Sequence, residues 1–226
     1  MPLTPEECAG AAAACVAAGA GAIHLHVRGR DGRQSLAADD VARTLTSVRA
    51  VTPETPVGVS TLLGIVGDPA RRQDLVAAWS VLPDFASVNF NEEGAVALAE
   101  LLLQRGVGLE AGLFDAAAAR ACVECGLAPR CLRLLLEPRG DSLEQALRSV
   151  GQMEAALDRG GIERPRLLHG SRGIAWPLVE EAARRGYQTR AGLEDTYALP
   201  DGTTARDNAE IVAEAARRIM ASRLSV

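Results

Sequence analysis

The chain has 226 residues, of which 48% are hydrophobic and 23% charged, and its formal net charge is −5. That is the balance of an ordinary globular domain, with enough apolar material for a sizeable core but only 3% aromatics, so the core must be built mainly from Ala, Leu and Val. No run of Lys or Arg is present, which excludes a nucleic acid or an anionic membrane as the main partner. A small anionic substrate remains open, because one buried arginine can hold it.

The Ala-rich stretch Cys8–Gly21 follows Glu6 and Glu7, lacks a positive leader and is too short to span a bilayer. Five cysteines without framework spacing fit reduced thiols, so a cytoplasmic protein is expected. Cys122 and Cys125 form a CxxC inside a predicted helix, with no second pair and no strand directly before it. They read as buried small apolar residues rather than a metal or redox motif.

In chain order, a first helix starts with Thr4 as N-cap, Pro5 in the first turn, and Glu6 and Glu7 complementing the helix dipole. Strands are predicted at Ala22–Val27, Val57–Ser60, Phe85–Asn89, Val107–Leu113, Leu132–Glu137, Arg166–His169 and Gln188–Leu193. Helices are predicted between and after them: Asp39–Ala50, Pro69–Trp79, Glu92–Arg105, Asp115–Cys125, Ser142–Arg159, Ala175–Arg185 and Thr204–Ser222. Seven strand–helix units after a lone helix point to an α/β protein of the TIM (β/α)8-barrel type, one domain over residues 1–226, lacking its first β-strand. An open doubly wound sheet is the alternative architecture.

Side chains alternate across a strand, so apolar residues on one parity place the other parity inside a barrel. Ile23, Leu25 and Val27 facing out turn His24 and His26 inward. The same rule turns Ser60, Ser87, Asn89 and Glu110 inward, and puts Arg190 and Glu194 on one face of the last strand. Glu137 and His169 end strands. Polar residues gathered at the C-terminal strand ends are what an active site in this architecture requires.

Two histidines two residues apart on a strand present both rings to one side, and a carboxylate from another strand completes a three-ligand set for a catalytic divalent metal. His24, His26 and Glu194 are the candidates. Two histidines and a carboxylate also describe non-haem iron sites, and the ligand types alone do not separate zinc from iron. An amidohydrolase-type barrel also opens with such a pair, but it recruits further histidines and this chain has only His169 besides.

The stretches GAIHLHVRGRDGR (Gly21–Arg33), ASVNFNEEG (Ala86–Gly94), VGLEAGLFD (Val107–Asp115) and TRAGLEDTYALPDG (Thr189–Gly202) resemble the β-keto acid cleavage enzymes, the family of 3-keto-5-aminohexanoate cleavage enzyme. The resemblance implies a zinc-bearing, homo-oligomeric TIM barrel that condenses a β-keto acid with acetyl-CoA to give acetoacetate and a new CoA thioester. It implies His24, His26 and Glu194 as metal ligands, and Arg190 and Asp195 as the catalytic pair. Ser60, Ser87, Asn89 and Glu110 fall at substrate-pocket positions. Two departures stand out. Members of the family usually begin with a strand carrying a pocket acid, and Ser60-Thr61-Leu62 stands where Ser-Thr-Gly is usual. The short connections imply a different CoA surface. The rival expectations are a metal-dependent aldolase or lyase that needs no CoA, and a non-catalytic, truncated member of the family.

Overall fold

The computed structural model describes residues 1–140 and 142–224. The first helix, α1 (Pro5–Ala17), begins where its capping chemistry dictates. The Thr4 hydroxyl accepts from the Glu7 N–H, and the Glu7 carboxylate accepts from the Thr4 N–H, so two otherwise orphaned donors are satisfied together. Six strands follow: β1 (Ile23–Leu25), β2 (Val57–Ser60), β3 (Phe85–Asn89), β4 (Gly108–Leu113), β5 (Arg133–Leu136) and β6 (Arg166–Leu168). Between and after them run α2 (Ala38–Val51), α3 (Pro69–Ala77), α4 (Ala95–Gln104), α5 (Ala116–Glu124), α6 (Leu143–Arg159), α7 (Ala175–Arg184) and α8 (Asn208–Leu224). The strands pair in sequence order and all in parallel, β1-β2-β3-β4-β5-β6, forming a half-barrel that is a partial TIM-type barrel.

The two faces of this sheet carry different cores. Val57, Val59, Ala86, Val88, Leu109, Ala111, Leu134, Leu136 and Leu168 face out and join one contiguous apolar core with Val41, Leu45, Leu98, Leu102, Val150 and Met153 of the helices. Burying each such Leu or Val stabilises the fold by roughly 1.5–3 kcal/mol, and this layer locks the strand parity. The inner face is sparser. Phe85 plugs its lower end, and its ring lies so close to Gly58 that a Cβ there would come within 2.0 Å of it. The Arg133 guanidinium lies 4.8 Å above the same ring. Above this plug, Ser60, Ser87, Glu110 and Arg133 align in one lateral row of the register.

The expected seventh strand, Gln188–Leu193, does not form. Only Gln188 pairs, through a single parallel bridge to Leu167. Beyond it the chain turns, with the Asp195 and Thr196 N–H groups both donating to the Gly192 carbonyl. The physical reason is that among the described residues no strand lies on its far side, so only a bridge to β6 holds it extended. The sheet is therefore open between β1 and residues 188–193, and α1, packed against both α2 and α8, covers that opening. The barrel is thus less complete than the seven strands expected. Smaller differences fall at element ends: β1 is three residues rather than six, and α8 starts at Asn208 because Thr204 pairs with Ala198 in a short hairpin.

Candidate metal centre

His24 lies in β1 and His26 just beyond its end, so both imidazoles leave the inner face with ring centroids 5.4 Å apart and planes 67° from parallel. Glu194 comes from the turn after the Gln188 bridge. One ligand atom from each of the three lies within 4.8 Å of the others. Nitrogen, nitrogen and carboxylate oxygen are a donor set that zinc accepts with a coordination position to spare, so the residues fit the metal.

A supporting partner orients the His26 ring. The His26 Nδ1 position lies 2.8 Å from the Gln34 Oε1, which can only accept, so Nδ1 carries the proton and Nε2 is left for a metal. Nε2 faces the Glu194 carboxylate at 3.2 Å. Gln34 reaches this place because Arg28 and Gln34 pair across the turn at Asp31-Gly32. The His24 Nδ1 is buried, has no hydrogen-bond partner among the described residues, and lies 3.8 Å from the equally unpartnered Glu110 Oε2. The other Glu110 oxygen accepts from Arg133 Nε at 2.6 Å.

The charges follow from these surroundings. Burial, reinforced by the positive Arg190 and by His26, pushes the His24 pKa well below the ordinary imidazole value. That leaves a neutral ring with a free lone pair. Burial also opposes a charge on His26, but the Glu194 and Gln34 oxygens outweigh it and raise its pKa. For Glu194, the opposing effect of burial is overcome by His26 and Arg190, which hold its carboxyl well below the usual carboxylate range. Arg190 is partly buried, 3.6 Å from Glu194, and its buried Nε has no hydrogen-bond partner among the described residues.

A cavity of about 860 Å³ opens over these groups. His24, His26, Arg190, Glu194 and Asp195 line it, together with small residues of α1 and α8 such as Ala12 and Ala215. Five candidates are thereby brought together. Ser60, Ser87, Asn89 and Glu110 sit on the inner face but do not line this cavity. Ser60, Ser87 and Glu110 are buried, and the Asn89 amide donates to the Glu92 Oε1 at 3.0 Å. Cys122 is buried in α5, while Cys125 follows the helix end with its Sγ on the Cys122 carbonyl at 3.2 Å.

Several supporting residues escaped the sequence reading. Glu92 braces Asn89, the Leu63 N–H and the buried Arg72. The Asn208 side-chain oxygen accepts from the Leu193 N–H at 2.8 Å and so pins the turn that carries Glu194. Gln34 alone left a usable sign, since it follows the Asp31-Gly32 turn that folds the chain back beside His26.

A parallel half-barrel with two histidines, a glutamate and an arginine at its C-terminal mouth is a partial TIM-type barrel with a polar cluster where its strands end. The family model of the beta-keto acid cleavage enzymes matches residues 1–226, and the chain belongs to that family. Solved structures at low identity share the fold. 3-Dehydroquinate dehydratase from Geobacillus kaustophilus superposes with a TM-score of 0.68 at 13% identity, covering 99% of this chain and 88% of that one. Thiamine phosphate pyrophosphorylase from Pyrococcus furiosus gives 0.58 at 11% identity, covering 95% and 90%. A mandelate racemase/muconate lactonizing enzyme from Roseiflexus sp. gives 0.54 at 16% identity over 80% of this chain, which spans 48% of that protein's length. No helix among the described residues is long and apolar enough to cross a membrane.

Proposed function

We propose that the chain is a zinc-dependent β-keto acid cleavage enzyme, a C-acyltransferase that condenses a β-keto acid with acetyl-CoA and releases acetoacetate and a new CoA thioester. The observation that carries the reading is the convergence of His24, His26 and Glu194 on one cavity with Arg190 and Asp195 in a member of that family. His24, His26 and Glu194 would hold the zinc, which when bound supplies Lewis acidity to a keto oxygen.

The remaining work falls to the chain's own side chains. Arg190, partly buried and lining the cavity, pairs with the substrate carboxylate and fixes its plane. Asp195 is buried beside it and takes the proton from the carbon between the keto and carboxylate groups. The small side chains of α1 and α8 leave room beside this pair for the second substrate. The protein works in the cytoplasm as a homo-oligomer, with small molecules as its partners.

Turnover of a panel of β-keto acids, measured by acetoacetate release with and without acetyl-CoA, tests the reading. Release only with acetyl-CoA is expected. Cleavage without CoA would point to the aldolase or lyase chemistry instead, and no cleavage in either case would contradict the proposed activity.

A further inference from the structure

A second buried cluster lies behind Asp195, and the metal reading does not use it. His169 follows β6 and Glu137 follows β5, so the two strand ends bring them together. The His169 Nδ1 lies 3.2 Å from the Asp195 Oδ1, and its Nε2 lies 3.5 Å from the Glu137 Oε2. Both contacts are close enough for ion pairing, yet neither nitrogen makes an aligned hydrogen bond among the described residues. The ring itself stays out of the cavity wall, whereas Asp195 forms part of it.

We propose that His169 is a positioning residue for Asp195, resting on the reading above in which Asp195 is the base. The imidazole sets the direction in which the Asp195 carboxylate faces the cavity, and Glu137 holds the ring from the other side.

Two further observations carry this. The loop after β6 also grips the Asp195 main chain, because the Arg172 N–H donates to the Asp195 carbonyl at 2.7 Å. Arg172 does so from a φ of 56°, the left-handed region that a side chain normally avoids, and such strain persists only where the surroundings impose it. Gly170, between the two gripping residues, packs so tightly on α7 that a Cβ there would come within 2.5 Å of the Leu178 Cδ1. One short loop thus holds Asp195 at both its carboxylate and its carbonyl.

An amide side chain can replace one ring nitrogen at a time. In His169→Asn the amide nitrogen falls near the Nδ1 position and still faces Asp195. In His169→Gln it falls near Nε2 and faces only Glu137. With both variants zinc-loaded to the wild-type level, kcat on the best β-keto acid of the panel should fall by about 100-fold or more in His169→Gln and by less than about tenfold in His169→Asn, with KM nearly unchanged in both. A role confined to stability would lower the melting temperature of both variants while leaving kcat per folded molecule alike. Equal kcat in the two variants overturns the proposal.

Crystal structures of both variants give a reading independent of turnover. The Asp195 carboxylate should stay on residue 169 in His169→Asn and swing away in His169→Gln. An unmoved Asp195 in His169→Gln overturns the proposal even if the wild type cleaves no β-keto acid, a result that would by itself strike only at the proposed activity. If neither variant folds, the His169 ring protons of Asp195→Asn decide by NMR. A shifted Nδ1 proton beside an unshifted Nε2 proton supports the pairing, and two unshifted protons overturn it.

Discussion

The buried imidazoles of His24 and His169 share the field of Arg190, yet their pKa values are pushed in opposite directions. His24 is buried with a single carboxylate at 3.8 Å, and burial together with Arg190 drives its pKa well below the ordinary value. His169 is just as buried and feels the same two opposing influences, but Asp195 and Glu137 both lie within 3.5 Å and raise its pKa to about 9. The difference teaches that the count and closeness of carboxylates decide the outcome, since burial is common to both. A neutral ring keeps a lone pair for a metal, as His24 does. A charged ring between two acids is a fixture that orders its neighbours.

Removing a metal ligand should have the largest effect. His24→Ala or Glu194→Gln is expected to weaken zinc binding by well over 100-fold, more than any change outside the ligand set, and titration against a competing chelator measures it. Next in size is the chemistry: Asp195→Asn should keep its zinc and lose about 10²–10⁴ in kcat, read by acetoacetate release.

The charged cluster should leave its mark on stability. A histidine whose pKa is raised on folding contributes stability that is fully present below its unfolded value of about 6.5 and lost as pH rises through the folded value. With the folded value near 9, the metal-free protein should lose about 3 kcal/mol between roughly pH 6.5 and pH 9. Urea melts across that range should show the slope in wild type and not in His169→Asn. A flat profile in wild type would place His169 in the neutral state instead. The smallest expected effect is at Gln34: its replacement by Leu should weaken zinc binding by about 10–100-fold while leaving both ligand rings in place.

Much of the inner face was legible because the outer face is so regular. Val57, Val59, Ala86, Val88, Leu109 and Ala111 leave no choice of parity, so the inward placement of Ser60, Ser87 and Glu110 follows from the pattern alone. The reading broke down at Gln188–Leu193, where the local pattern suits a strand but a strand needs a neighbour that local pattern does not encode. The supporting residues were hidden for a related reason. Arg172, Asn208 and Glu92 act through contacts between segments distant in sequence, and an Asn or Glu at a helix start looks the same whether or not it braces a loop. Glu137 and His169 were visible only as polar strand ends, because the pairing of His169 with Asp195 spans two different loops.

If the His24–His26–Glu194 group is a zinc site, zinc per chain in the purified protein beside His26→Ala shows it. Close to one zinc per chain is expected in wild type and almost none in the variant. Undiminished zinc in His26→Ala, or a wild type that takes up no zinc when it is supplied, would contradict it.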